Sequence, residues 1–234
     1  MVAVPRRKAL CSCGKTVVRG DENGNALNPS TQAFPEWDLW AEDRDVVVVA
    51  APAVDAAIRR AEMDGRPVAA VLAVWTSRRG DREEKPTYGG IAPTVVGCAD
   101  AENGNWPDSP MAEHMDAILS FGRRHGGERI LIHCSQGMGR APAAALAILA
   151  DRLGPGREDE ALSALLHLRP CAIINYRMAG LADQVLGREG ELLGVVKHHP
   201  LIRARHSARQ RDYGWEETPT LLMPNGGSED LSRW

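Results

Sequence analysis

The sequence lacks any apolar run long enough to cross a membrane. The longest run extends from Val46 to Val54 and is interrupted by Pro52, whereas a spanning helix needs about 20 apolar residues. The N-terminal residues carry charge but no apolar stretch behind them, so no secretory signal is expected. We therefore expect a cytoplasmic protein without a membrane partner.

Charge of one sign and aromatic side chains are also scarce. The formal net charge is −3, which gives no basic excess for nucleic-acid binding. Aromatic residues make up 5% of the chain, so there is no obvious platform on which bases could stack. The chain has 234 residues, 44% hydrophobic and 25% charged, which allows one globular domain with extensions, or at most two small domains.

The five cysteines form no metal-ligand pattern. Cys11 and Cys13 resemble half of a zinc knuckle, but a second close pair is missing. We therefore expect no metal and no cofactor. In a reducing compartment, cysteines are thiols that serve chemistry or packing.

Three regions are expected from composition. The composition of residues 1–40 predicts an irregular N-terminal arm, and residues 41–196 are predicted to form the globular domain. Residues 197–234 predict a polar, flexible tail, or alternatively a docking segment for an acidic partner through its arginine cluster. That cluster comprises Arg203, Arg205, Arg209 and Arg211.

Within the domain, short apolar strands alternate with amphipathic helices. This order predicts an α/β fold with a mostly parallel central sheet flanked by helices. The predicted strands are 46–51, 68–75, 94–98 and 129–133, and the predicted helices are 54–63, 111–124, 141–153, 158–168 and 177–186, with Asn175 as the N-cap of the last.

The segment from Ile130 to Pro142 carries the candidate site, because five residues separate Cys134 from Arg140. The spacing alone is weak evidence, since Cys13 with Arg19 and Cys171 with Arg177 share it. Only the Cys134 copy follows an apolar strand and precedes a helix. We interpret the other two as coincidences.

The loop after Cys134 has the chemistry of an anion site. Gly137 and Gly139 allow a tight turn with inward amides, and Pro142 suits the first turn of a helix, whose N-terminus favours negative charge. Such a nest of donors fits a tetrahedral oxyanion and stabilises a thiolate. The predicted phosphate-binding residues are Ser135, Gln136, Gly137, Met138, Gly139 and Arg140.

In this interpretation Cys134 is the nucleophile, and the guanidinium of Arg140 forms two hydrogen bonds with the phosphate. His133 should point away from the substrate. It is expected either to hydrogen-bond the loop backbone or hold the carbonyl group of Cys134 in a supporting role, or simply to pack in the core.

The pattern His133-Cys134-x-x-Gly137-x-x-Arg140 resembles the signature of the protein tyrosine phosphatase superfamily. Pro142 is similar to the dual-specificity branch, and the chain from about Val46 to Gly190 resembles small bacterial tyrosine-phosphatase-like proteins. The resemblance implies a dual-specificity-phosphatase-like fold and a phosphocysteine intermediate. It also implies a phosphorylated protein, especially phosphotyrosine, or a small phosphate monoester as substrate.

The resemblance implies an aspartic acid as general acid, and two residues are candidates. Trp106-Pro107-Asp108 is similar to the mobile acid loop of larger tyrosine phosphatases, but Asp108 precedes Cys134 by only 26 residues. Asp100 precedes it by 34 residues and directly follows a predicted strand, as in compact dual-specificity enzymes. Both candidates stay open at this point.

One residue departs from the family pattern. Ala141 occupies the position after the arginine, where relatives have Ser or Thr, whose hydroxyl helps the phosphoenzyme break down. A pseudophosphatase that binds phosphorylated ligands is therefore a second hypothesis. A sulfurtransferase or an arsenate reductase is a third, and arsenate reduction would need a resolving thiol such as Cys171.

Overall fold

The computed structural model describes residues 45–75 and 87–212, with side chains to residue 209. The predicted N-terminal arm, the Cys11 and Cys13 pair and the predicted charged loop at 77–85 lie outside the described residues. So does the chain beyond residue 212.

A four-stranded parallel sheet forms the centre of the protein. The strands are β1 (Val46–Ala50), β2 (Ala70–Trp75), β3 (Thr94–Gly97) and β4 (Ile130–Cys134). Their order across the sheet is β1-β4-β2-β3, and every neighbouring pair is parallel. This architecture confirms the predicted α/β class, with strand ends within two residues of the prediction.

In the described residues, seven α-helices surround the sheet. A short 3₁₀ turn (Ala51–Ala53) leads into α1 (Val54–Met63), and five of the helices agree with the predicted ones to within a residue. The helices that follow α1 along the chain are α2 (Ala112–Arg124), α3 (Arg140–Leu153), α4 (Glu158–Leu168), α5 (Tyr176–Leu186), α6 (Glu191–His198) and α7 (Pro200–Asp212).

The two faces of the sheet bury different sets of side chains. Along β4, Ile130, Ile132 and Cys134 point into the larger core beneath α2 to α6, whereas Leu131 points into a smaller core beneath α1. This alternation follows from the two-residue period of a strand. It also places His133 and Cys134 on opposite faces, so that only the cysteine faces the helix that follows it.

The helix after β4 is buried over most of its length. All residues of α3 from Arg140 to Ala150 are buried, and most are alanine, leucine or isoleucine. Small side chains let neighbouring helices and the sheet approach α3 closely. The α3 N-terminus is therefore held against the sheet at a fixed place, directly after Cys134.

The prediction of a flexible tail from residue 197 is wrong over the described part of that region. Residues 200–212 form α7, and Ile202 is fully buried. Hydrophobic periodicity does not reveal this helix, because it has no apolar stripe. Polar side chains hold it instead: Arg205 donates to the carbonyl oxygens of Ala172 and Pro170, at 2.8 and 2.5 Å.

Within residues 45–75 and 87–212, no helix is both long and apolar enough to span a bilayer. In the same part of the chain, His, Cys, Asp and Glu side chains form no group of three or more suited to holding a metal ion.

Candidate active site

Cys134 ends the second strand of the sheet order, at the carboxyl edge where parallel sheets commonly bind ligands. The residue is 3% exposed. Its Sγ accepts a hydrogen bond from the backbone amide of Gly137 at 3.2 Å. The sulfur therefore lies at the base of the loop that leads to Arg140 and already receives one of the loop amides.

The carbonyl groups of this loop point outward, where other segments hold them. The carbonyl oxygen of Ser135 accepts from the amide of Ala51 at 3.4 Å. Arg169, which follows α4, donates from Nε to Gly137 O at 2.8 Å and from Nη2 to Gln136 O at 3.3 Å. Arg169 is 2% exposed, so these bonds are shielded from water.

The next two carbonyl groups are held by the segment between α4 and α5. Met138 O accepts from the amides of Ile173 and Ile174 at 2.8 and 3.1 Å, and Gly139 O accepts from Asn175 at 3.2 Å. Five consecutive carbonyl groups are thus bonded outside the loop, which leaves its amides for the concave side. Sequence analysis missed Arg169, because an arginine after a helix gives no distinguishing signal.

The two loop glycines are needed for different reasons. Gly137 has φ +64°, and a Cβ there would lie 2.6 Å from the carbonyl carbon and oxygen of Val49. Gly139 has φ −106°, which residues with side chains also adopt, so backbone freedom is not the reason for a glycine at this position. Its constraint is contact: a Cβ would lie 2.9 Å from Oδ1 of Asp100.

Arg140 is the first residue of α3 and is 6% exposed. Its Nη1 donates to Cys98 O at 2.8 Å, and its Nη2 lies 3.4 Å from Ser135 Oγ. Among the described residues, its buried Nε has no hydrogen-bond partner. A buried cationic donor without a partner is costly, and an anion bound in the loop would satisfy it.

A cavity of about 390 Å³ opens above the loop. It brings together Cys134, Arg140 and Asp100 of the predicted catalytic residues; Gly137, His133 and Asp108 are not among the residues that line it. The predicted loop residues that do line it are Ser135, Gln136, Met138 and Gly139, and three residues that were not predicted join them: Glu102, His206 and Arg209.

The two candidate acids occupy different places. Asp100 follows β3, and its Oδ1 accepts from Asn175 Nδ2 at 3.0 Å while its Oδ2 accepts from Arg209 Nη2 at 3.0 Å. Asp108 is exposed, with φ +60°. Its carbonyl oxygen accepts from the amide of Ala99 at 2.6 Å. Only Asp100 therefore has its carboxylate beside the loop.

Glu102 is a third carboxyl group in the cavity. The residue as a whole is exposed, but its Oε2 accepts from the amides of Tyr176 and Arg177 at the start of α5, at 2.8 and 3.4 Å. Burial of the carboxylate, and then the charge of Asp100, raise the pKa of Glu102 to about 7. The sequence offered no motif that distinguishes Glu102 from other loop carboxylates.

His133 is fully buried on the opposite face of β4. Its ring lies edge-on to Tyr88 and Trp75, with centroid distances of 5.0 and 6.1 Å. Neither ring nitrogen makes a hydrogen bond of good geometry within the described residues. Burial lowers the pKa of His133 to about 4, and a contact with the Cys134 backbone opposes this only in part. The ring packs against Tyr88 and Trp75, and the expected hydrogen-bonding role stays a prediction.

Cys98 is a second thiol near the site, and it is fully buried. Burial raises the pKa of Cys98 to about 11, although the charge of Arg140 partly opposes this effect. Cys98 therefore remains a neutral thiol at physiological pH.

Several solved structures resemble this chain. Human DUSP28 has 17% identity over 61% of this chain and 88% of that chain, with a TM-score of 0.47. The human tyrosine phosphatase-like serine/threonine/tyrosine-interacting protein has 13% identity over 60% of this chain and 89% of that chain, with a TM-score of 0.48. DUSP15 has 15% identity over 72% of this chain and 92% of that chain, with a TM-score of 0.47. At such identities and TM-scores, these likenesses carry no inference about activity.

No protein-family model matches the chain, and neither does any curated protein sequence. The residues of the site are therefore the basis for assigning a function.

We predict that Gly137→Ala removes anion binding and destabilises the fold. Gly187 is the matched control, because it has the same φ of +64° but no atom within 4 Å of the place where an added methyl group would lie. Gly187→Ala should cost only the left-handed strain of about 1–2 kcal/mol, whereas Gly137→Ala adds a backbone clash. Urea unfolding and tungstate titration would measure both effects. Equal losses of stability in the two variants, or normal tungstate binding by Gly137→Ala, would contradict the prediction.

We also predict that His133 contributes to acid sensitivity. The folded-state pKa of about 4 lies below the ordinary value of 6.5. The folded protein keeps the ring neutral, whereas the unfolded chain takes up a proton below about pH 6.5. About 3 kcal/mol of the free energy of unfolding is therefore lost as the pH falls from 6.5 towards 4. His133→Phe keeps an aromatic ring between Tyr88 and Trp75 and removes this titration. Unfolding free energies at pH 7 and pH 4.5 would test it; parallel losses in wild type and variant would refute it.

Proposed function

We propose that the protein is a cysteine-dependent phosphatase that hydrolyses phosphate monoesters through a phosphocysteine. The observation that carries the proposal is the loop itself: its carbonyl groups are bonded outward, Cys134 Sγ receives an amide at its base, and the Nε of Arg140 is buried without a partner among the described residues. These groups match the needs of a tetrahedral dianion. Together with the signature around Cys134, they support membership of the protein tyrosine phosphatase superfamily.

In the first step, the Cys134 thiolate attacks phosphorus, an S–P bond forms and the bond from phosphorus to the leaving oxygen breaks. The loop amides and Arg140 stabilise the charge on the three remaining phosphate oxygens. In the second step, water attacks the phosphocysteine, and the S–P bond breaks to release phosphate and restore the thiolate. Neither step requires a metal or a cofactor.

Asp100 is the proposed general acid. It donates a proton to the leaving oxygen in the first step and accepts one from water in the second. Its position supports this role, because the carboxylate contacts Gly139 of the loop and lines the cavity with Cys134. Asp108 lies away from the cavity lining, so its similarity to the acid loop of larger enzymes is not accompanied by a matching position.

The proposed substrates are phosphorylated proteins, chiefly on tyrosine, and small phosphate monoesters. The cavity of about 390 Å³ is within the range of small-molecule sites. We place the reaction in the cytoplasm, where Cys134 would stay reduced. Among the described residues, neither Cys98 nor Cys171 lines the cavity beside Cys134, which disfavours arsenate reduction with a resolving thiol.

Ala141 favours a second candidate function, a slow or inactive phosphatase that binds phosphorylated ligands. The residue is fully buried directly after Arg140, where it offers no hydroxyl to the sulfur. Without that donor, the thiolate is a poorer leaving group when the phosphocysteine breaks down. The two candidates differ in the second step, and not in binding or in the attack by sulfur.

The test of the main proposal is hydrolysis of p-nitrophenyl phosphate and a phosphotyrosine peptide. We expect turnover by wild type and none by Cys134→Ser. Asp100→Asn should lower kcat about 10²- to 10⁴-fold for the peptide, as loss of a general acid does, whereas the matched control Asp108→Asn should remain close to wild type. No wild-type turnover, or equal turnover by Cys134→Ser, would refute the proposal. A larger loss with Asp108→Asn would refute the assignment of Asp100.

We further predict that Ala141→Ser speeds breakdown of the phosphocysteine. A hydrogen bond to a charged group contributes about 1.5–3 kcal/mol, so the steady-state rate should rise roughly tenfold or more while the initial burst keeps its rate. Rapid-quench kinetics separate the two phases. Ala143→Ser, which adds a hydroxyl two residues further along the same buried helix, controls for a general effect. An unchanged steady-state rate in Ala141→Ser would show that this hydroxyl is not what limits turnover.

A further inference from the structure

The last described helix contributes a second arginine to the cavity of the candidate site. Arg209 and His206 of α7 line the cavity together with Cys134 and Arg140. This contribution is unexpected from the sequence, where the same residues belonged to a predicted tail. It gives the cavity a cationic side chain that the phosphate loop itself does not supply.

The position of Arg209 is fixed by the turn of helix before it. Nε2 of His206 lies 3.0 and 2.9 Å from the carbonyl oxygens of Ile173 and Ile174, and its ring stacks on Tyr176 at 3.7 Å. The same two isoleucines donate their amides to Met138 of the phosphate loop. Through this shared segment α7 is joined to the loop, and the partly exposed side chain of Arg209 lines the cavity.

Arg209 is the source of positive charge on this wall. Burial, as the main cause, lowers the pKa of His206, and the carbonyl oxygens of Ile174 and Ile173 beside Nε2 oppose this shift only in part. Two carboxylates face Arg209: it donates from Nη2 to Oδ2 of Asp100 at 3.0 Å, and Glu102 shares the cavity. Within the described residues, the bond to Asp100 is the hydrogen bond that the Arg209 guanidinium makes, so its Nε and Nη1 remain as donors for a ligand.

The pair with Asp100 does not use up the charge of Arg209. The two side chains are 31% and 29% exposed, and ion pairs that are this accessible to water contribute little to stability. A second anion can therefore share the guanidinium without a large cost. On the proposed function Arg140 serves the scissile phosphate, and the cavity of about 390 Å³ extends from the loop to α7, which leaves Arg209 for a second anionic group.

We propose that Arg209 forms a second anion subsite, and that the preferred substrate is a phosphate monoester with another anionic group, a carboxylate or phosphate, close to the scissile phosphate. This inference rests on the proposed phosphatase function. It names a specificity residue outside the signature loop. The competing explanation is that Arg209 only positions Asp100, in which case its effect would be the same for every substrate.

The experiment compares phenyl phosphate with 3-carboxyphenyl phosphate, and with the methyl ester of the latter as an uncharged analogue of similar shape. The kcat/KM values are measured for wild type, Arg209→Met and Arg209→Gln, the last of which keeps a donor for Asp100 but removes the charge. Arg203→Met is the matched control, because Arg203 is an exposed arginine of the same helix that does not line the cavity. The kcat/KM of each variant is divided by the wild-type kcat/KM for the same substrate, which cancels differences between the leaving groups.

We expect both Arg209 variants to lower kcat/KM for the carboxylated substrate at least about fivefold more than for phenyl phosphate or the ester. Arg203→Met should show no such selectivity. Equal losses on all three substrates would overturn the subsite and leave Arg209 as a positioning residue. The same comparison with phosphotyrosine peptides carrying Glu or Gln beside the phosphotyrosine tells whether the second anion is supplied by a protein or by a small molecule. If neither the peptides nor the small phosphates show selectivity that depends on Arg209, the proposal is overturned.

Binding to Cys134→Ser, measured by calorimetry with the same ligands, separates the subsite from the chemistry. A preference for 3-carboxyphenyl phosphate that disappears with Arg209→Gln would support the subsite even if no substrate were turned over. Absence of turnover in every arm would instead refute the proposed phosphatase function. Equal binding of the charged ligand and its ester by the protein with Arg209 intact would overturn the subsite by itself.

Discussion

The outward orientation of five loop carbonyl groups is the constraint on which the site depends. A peptide unit that turns its carbonyl away from the cavity turns its amide towards it, so each external donor also orients one internal donor. The donors come from three places: the end of β1, the side chain of Arg169 and the segment before α5. Amides oriented before the ligand arrives need no rearrangement during the reaction, which is what electrostatic stabilisation of a transition state requires.

Close contacts then determine where the acid can lie. Because residue 139 has no side chain, the carboxylate of Asp100 rests directly against the loop. Asn175 and Arg209 hold one oxygen each. The Cys134 thiol, the Arg140 guanidinium and the Asp100 carboxylate thus come from different parts of the sheet edge and converge on one cavity, although Asp100 is far from the other two along the chain.

The strands, five helices and the Cys134–Arg140 loop could be predicted because each leaves a local pattern: apolar runs, helical periodicity, and glycines and proline at element ends. Arg169, Glu102 and α7 could not, since their roles depend on backbone groups of distant segments. A side chain that bonds a carbonyl oxygen leaves no trace in hydrophobic periodicity. The choice between Asp100 and Asp108 likewise needed positions in space, because offsets along the chain do not report which carboxylate faces the cavity.

Asn175 joins the acid loop to a helix. Its Oδ1 accepts from Met178 at the start of α5, while its Nδ2 donates to Asp100 and to the carbonyl oxygen of Ala101. Glu102 bonds the same helix start. Swinging this loop open would therefore uncap α5 at the same time, so the segment cannot act as an independent lid. On the proposed function, a substrate would therefore meet the carboxylate of Asp100 already held beside the loop by the residues that cap α5.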